Sequence, residues 1–181
     1  MRLGRQIPTS SVVLPYKKTY GQDAIDLYNR IRVCQEWQGN LLKDILAYND
    51  DNLWVHTKFG YSIPRRNGKN EVVAIIEMYS IVELGIKCLH TAHRTTTGHT
   101  AWERLCSFLD ELGVEYDCTK QLGLETITLE NGGKISFRTR SSKGGLGEGY
   151  DLLVIDEAQE YTDDQESALK YVVSDSPNPM T

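Results

Sequence analysis

Tyr150-Asp151-Leu152-Leu153-Val154-Ile155-Asp156-Glu157 is the stretch on which the fold turns. Four consecutive aliphatic residues leave no polar face, so the segment reads as a strand buried on both sides, as in a parallel sheet covered by helices. It ends in two adjacent carboxylates. Open α/β sheets bind ligands at the carboxyl ends of their strands, which puts Asp156 and Glu157 where a ligand would sit. A lone acidic pair at a strand end is more often simply solvated, so the reading depends on what precedes it.

Upstream lies Ile63-Pro64-Arg65-Arg66-Asn67-Gly68-Lys69-Asn70, between an alternating segment and an apolar helix. A phosphate-binding loop needs backbone N–H groups turned into a concave surface, a helix N-terminus behind them, and a lysine for the β- and γ-phosphates. Pro64, Arg65, Arg66, Asn67, Gly68, Lys69 and Asn70 supply all three. Two positions depart from the usual pattern. Ile63 stands where a first glycine is expected, and Asn70 stands where Ser or Thr would place a hydroxyl on magnesium. Alone, Gly68-Lys69-Asn70 equally describes a basic turn. A loop-helix lysine followed by a buried strand ending in Asp-Glu makes that bland reading improbable. Asp156 is then expected to hold Mg2+ through its water shell, and Glu157 to polarise an attacking water. The carboxamide oxygen of Asn70 is a competent hard ligand for the same ion.

Around these two units strands alternate with helices. Apolar residues at Ile25, Leu27, Tyr28 and Ile31, and again at Leu41, Leu42, Ile45 and Leu46, predict two helices separated by a turn at Gln35 to Gly39. Trp54 to Ile63 predicts a strand pair bending at Lys58 to Gly60. Glu71 to Leu84 carries one narrow polar stripe, Glu77, Ser80 and Glu83, and reads as a mostly buried helix. A strand over Ile86 to Ala92, a helix over Thr95 to Leu112, a hairpin from Leu124 to Arg138 turning at Asn131-Gly132-Gly133, a glycine-rich loop from Gly144 to Gly149 and a helix over Asp163 to Val173 complete the pattern. The expected fold class is α/β, with a mainly parallel sheet flanked by helices. Residues 1–22 read as an N-terminal arm and residues 23–181 as one domain.

Composition narrows the class further. The chain has 181 residues, 40% hydrophobic and 25% charged, enough for a core without disulfides or structural metal. Cys34, Cys88, Cys106 and Cys118 form no C-x-x-C pair and read as free thiols in a reducing compartment. The longest apolar run, Val72 to Ile76, is too short to span a bilayer, and the N-terminus lacks a signal-peptide pattern. Net charge is -5, but residues 1–70 hold 11 Lys/Arg against 6 Asp/Glu while the rest hold 9 against 19. This is no broadly basic coat for nucleic acid. His90 and His93 are three apart on a strand and face opposite ways, so a shared zinc is not expected.

The sequence resembles the N-terminal ATPase domain of the large terminase subunit of tailed bacteriophages. The resemblance rests on Pro64 to Asn70 as a deviant Walker A, on Tyr150 to Glu160 as Walker B with its catalytic glutamate, on Leu89-His90-Thr91-Ala92-His93-Arg94 between them, and on the hairpin ending Phe137-Arg138-Thr139-Arg140-Ser141. It covers about residues 25–175 and implies a RecA-like (ASCE) P-loop NTPase that hydrolyses ATP with Mg2+ to drive DNA translocation. Lys69 would contact the phosphates, Arg65 would sense the γ-phosphate, and Gln38, after Trp37, would recognise adenine. Many relatives carry a Leu-Arg-Gly before Walker B whose arginine reaches a neighbouring subunit. Here Gly145-Leu146-Gly147 stands instead, so Arg138, Arg140 or a residue beyond Thr181 is expected to serve. The implied partners are double-stranded DNA, the phage portal protein, the small terminase subunit and further copies in a ring, in the host cytoplasm and away from membrane. A nuclease domain and the strand and coupling motif after Val173 are expected to be missing, leaving a fragment with little turnover alone. A superfamily 2 helicase-type ATPase and a non-hydrolysing nucleotide-binding assembly module are the competing readings.

Overall fold

A computed structural model describes residues 4–140 and 148–181. Gly145-Leu146-Gly147 lies outside the described residues, as does Ser141. Along the chain come β1 (Lys18–Thr19), α1 (Gly21–Tyr28), α2 (Glu36–Ile45), β2 (Ala47–Tyr48), α3 (Lys69–Val82), β3 (Lys87–Ala92) and α4 (Thr95–Leu112). Then follow β4 (Asp117–Thr119), β5 (Thr126–Thr128), β6 (Lys134–Thr139), β7 (Leu152–Ile155), a 3-10 turn at Ala158–Glu160 and α5 (Asp163–Leu169).

The main sheet has the order β4-β5-β6-β3-β7. Its centre is parallel: β3 pairs with β6 on one side and β7 on the other. The hairpin strands β4, β5 and β6 pair antiparallel, so the sheet is mixed rather than parallel throughout. Side chains alternate across it as strand geometry requires. Cys88, Ile135, Phe137 and Leu152 face α3 and α4 and join the large core with Ile75, Met78, Leu105 and Phe108. Leu89 and Leu153 face the other way, into a smaller cluster with Tyr150, Leu169, Val172 and Val173.

Three expectations need correction. Gln35 to Gly39 is not a turn, because α2 already runs from Glu36, with Gln35 and Gln38 forming a reciprocal cap at its start. Gly39 sits inside this helix where a Cβ would lie 3.2 Å from Cδ1 of Ile25, so it marks close approach of α1 rather than a break. Trp54 to Ile63 forms no strand pair. Its backbone groups are satisfied one by one, Val55 N–H on the Ala47 carbonyl at 2.9 Å and Phe59 N–H on the Thr181 carbonyl at 2.8 Å. The helix expected over Asp163 to Val173 stops at Leu169.

The N-terminal arm is also docked earlier than its composition suggests. Leu14 N–H donates to Nε2 of His56 at 3.0 Å, the Tyr16 hydroxyl donates to Asp44 at 2.8 Å, and β1 pairs with β2. At the other end, Met180 bridges to Leu152 in parallel fashion, and Thr181 N–H donates to the Thr57 carbonyl at 2.9 Å. Residues 180–181 therefore lie between β7 and the segment that leads into the phosphate loop.

Candidate active site

Gly68 turns the chain into α3 with φ of 82°, in the left-handed region that a Cβ penalises. The Asn67 amide braces the turn before it, donating to the Pro64 carbonyl at 3.0 Å and the Arg65 carbonyl at 3.3 Å. Lys69 and Asn70 occupy the first turn of α3, whose leading N–H groups and dipole favour an anion. The Tyr61 hydroxyl donates to the Lys69 carbonyl at 3.1 Å. Burial, with the charges of Asp156 and Glu77, pushes the Tyr61 pKa up, so it stays a neutral donor.

β7 delivers Asp156 and Glu157 to the same place. Lys69 Nζ and the Glu157 backbone N–H both donate to Oδ1 of Asp156, each at 2.8 Å. Glu157 itself has φ 56° and ψ 53°. That conformation costs a non-glycine residue about 1–3 kcal/mol and persists only where the surroundings hold it. Arg140 is part of what holds it. Its guanidinium donates to the Asp156 carbonyl at 2.7 Å and the Glu157 carbonyl at 3.2 Å, and lies 5.8 Å from the Tyr161 ring. Burial lowers the Arg140 pKa against the nearby carboxylates, yet a guanidinium starts high enough to remain charged.

Both candidate trans-acting arginines make contacts within the chain. Arg140 is 7% exposed and bound to the backbone of Asp156 and Glu157. Arg138 donates to the carbonyls of Phe137 at 2.7 Å and Glu125 at 3.0 Å.

Pro64, Arg65, Arg66, Gly68, Lys69, Asn70, Asp156 and Glu157 all line one open cleft of about 1300 Å³. The volume exceeds what a mononucleotide fills, because the cleft continues as a trench between residues 58–63 and β7, with Met180 and Thr181 on its wall. Arg65 and Arg66 are exposed in it. Gln38 is not in its lining. It is buried beneath Gly68, where its Oε1 accepts from Gln35 N–H at 2.9 Å and its Nε2 makes a long 3.5 Å contact with the Gly68 carbonyl.

Two side-chain pairings at the site escaped the sequence reading. Arg104, on α4, lines the cleft beside Asn70 and approaches Glu71 at 3.8 Å. His90 contacts Glu77 at 2.6 Å, both buried. Burial alone would pull the imidazole pKa down, but the Glu77 charge and hydrogen bond outweigh it and the net direction is up. Nothing local to α4 or β3 in sequence announces either pairing.

Among the described residues no group of three or more His, Cys, Asp or Glu could hold a metal alone. Asn70 and Asp156 do line the same cleft. One carboxylate and one carboxamide beside Lys69 fit magnesium, which takes few protein ligands and relies on phosphate and water for the rest.

No protein-family model matches the sequence, and no curated protein matches it. Solved structures do match the fold. The HK97 bacteriophage large terminase superimposes with a TM-score of 0.72 at 16% identity, covering 90% of this chain and 37% of that one. The large terminase ATPase domain of Thermus phage P74-26 gives a TM-score of 0.59 at 13% identity, covering 86% of this chain and 66% of that one. The chain thus spans under two thirds of either, and the likeness extends to architecture. This chain has the RecA-like P-loop fold found in the ATPase domains of bacteriophage large terminases.

Proposed function

We propose that this domain binds and hydrolyses Mg-ATP as the motor of a viral DNA-packaging terminase. One observation carries the reading: the phosphate-loop lysine and the Asp156 carboxylate just after β7 meet at 2.8 Å in an open cleft. Lys69 is a third exposed and Asp156 nearly sealed, so the lysine is the partner free to turn towards solvent. In the reaction, Lys69 leaves Asp156 for the β- and γ-phosphates, while the first N–H groups of α3 cradle them. Asp156 and Asn70 would hold magnesium, which would supply positive charge to offset that of the phosphates. Glu157 orients and polarises the attacking water. Arg140 keeps the Glu157 backbone in its left-handed conformation, so the carboxylate reaches the cleft rather than the sheet. Arg65, exposed in the loop, is the γ-phosphate sensor. An adenine contact by Gln38 requires its amide to give up the long bond to Gly68.

Double-stranded DNA, a portal protein, a small terminase subunit and further copies of the chain are the partners this reading assigns, in the host cytoplasm. Among the described residues no helix is long and apolar enough to cross a membrane. Arginine at the transition state contributes on the order of 10³- to 10⁵-fold in such enzymes. With Arg138 and Arg140 committed within the chain, turnover is expected to rise with protein concentration as a neighbour supplies the missing cation.

Titration with a fluorescent ATP analogue and steady-state phosphate release test the reading together. Lys69→Ala is expected to abolish binding, whereas Glu157→Gln keeps binding and loses hydrolysis. Unchanged affinity in the lysine variant would refute the phosphate site. Normal turnover in the glutamine variant would move the catalytic role elsewhere. Tight binding with no turnover by wild type at any concentration would favour an assembly module.

A further inference from the structure

Glu77 and His90 form a sealed polar pair between α3 and the sheet: they are 1% and 2% exposed, with Oε1 and Nδ1 2.6 Å apart. A buried pair of this kind rarely stabilises more than apolar residues of equal volume would, so its presence calls for another cause. Position suggests one. Glu77 lies seven residues after Asn70 and so shares its face of α3. Glu77 occupies Nδ1 of the imidazole, and the other nitrogen, Nε2, is buried without a hydrogen-bond partner. The ring lines a small, partly open recess of about 10 Å³ whose other polar walls are Asn70, Glu77, Arg104 and Asp156. That is the size of one water, and its walls offer the polar partners a buried water needs.

We propose that this recess binds a single water molecule through which the Glu77–His90 pair orients Asp156 and Asn70, making His90 a positioning residue for the magnesium corner. The inference rests on the nucleotide-site reading above. Glu77 accepts from Nδ1–H and fixes the ring, so Nε2 is presented to the water. Asp156 has Oδ1 engaged by Lys69 and the Glu157 N–H, and the water steadies the carboxylate from the α4 side. Groups that orient a metal's ligands typically change metal affinity about 10- to 100-fold when removed.

Two substitutions separate positioning from packing. In His90→Asn the amide takes the place of Nδ1 and keeps Glu77 paired, but the recess end is lost. In His90→Gln the amide reaches the place of Nε2. Binding of a fluorescent ADP analogue to the whole chain would be followed as Mg2+ is titrated, and again in EDTA. We expect His90→Asn to raise the Mg2+ half-saturation about 10-fold or more with affinity in EDTA unchanged, and His90→Gln to restore most of it. A purely structural role gives the reverse order, with His90→Asn the milder change, and would overturn the proposal. Should the variants fold poorly, wild-type protein with 15N-labelled histidine suffices. The Nε2 resonance of His90 is expected to shift when Mg2+ is added to the ADP-bound protein, and an unmoved resonance at Mg2+ saturation overturns the inference alone. Absence of any ADP binding by wild type would overturn the functional reading and this inference with it.

Discussion

The two faces of the main sheet are covered very differently. On one, α3 and α4 bury Ile75, Met78, Ile81, Leu105, Phe108 and Leu109 against Cys88, Ile135 and Phe137. On the other, among the described residues, Leu89 and Leu153 meet Tyr150, Leu169, Val172 and Val173, with Ile155 and Tyr161 at the margin, a smaller cluster drawn mostly from a short helix and the turns after it. Burial of apolar area is worth roughly 25 cal/mol per Å², so the thick face supplies most of the stability. It is also the face that anchors α3, the helix that follows residues 64–68. The thin face carries α5 and the turn after Glu157, elements with few apolar contacts and hence low opening free energies. The start of α3 is thereby set on the firmer side of the sheet, beside Glu157 on the more easily moved side.

The contrast can be broken at its strong end first. Phe108 is fully buried on α4 beneath Tyr28 and Arg32, and Phe108→Ala is expected to cost about 3–5 kcal/mol in urea unfolding. Leu153→Ala on the thin face should cost less, about 2–3 kcal/mol, because its few neighbours can close over the space. Hydrogen exchange sharpens that comparison: amides at Leu169 to Val173 should open faster in Leu153→Ala and stay unchanged in a mild thick-face variant such as Ile81→Val.

At the boundary between the faces, Arg140→Gln leaves the carbonyls of Asp156 and Glu157 short of their donors. It should cost about 1–3 kcal/mol and lower hydrolysis more than nucleotide affinity. Equal loss of both would show that the clamp serves folding and not the orientation of Glu157. Smallest of all, Asn70→Thr exchanges one oxygen ligand for another at an exposed position. It should change stability by less than about 0.5 kcal/mol, with magnesium-dependent nucleotide binding kept or improved. A severe loss of that binding would give Asn70 a different role.

Elements that bury a periodic face were legible in sequence. Thr95 to Leu112 matches α4 end to end, and the strand at Ile86 to Ala92 and the hairpin at Asn131-Gly132-Gly133 lie where the pattern puts them. Segments held by single long-range hydrogen bonds were not. The alternation of Trp54 to Ile63 arises because each residue docks separately, Trp54 N–H on Asn178 and Phe59 N–H on Thr181. Gln35 to Gly39 misled for a related reason: a glycine needed for helix contact resembles a glycine that ends a helix.

By itself the sequence determined the order of the parts: a lysine at a helix start, then strands, then a buried strand closing on Asp156 and Glu157. Local rules suffice there, since periodicity, turn chemistry and the carboxyl ends of strands are properties of neighbouring residues. Only tertiary structure decided which arginines are free, that Gln38 lies under the loop rather than in the cleft, and that Glu77 meets His90. Those outcomes depend on how α3, α4 and the strand ends pack in space, and the meeting of side chains from separate elements leaves no periodic trace along the chain.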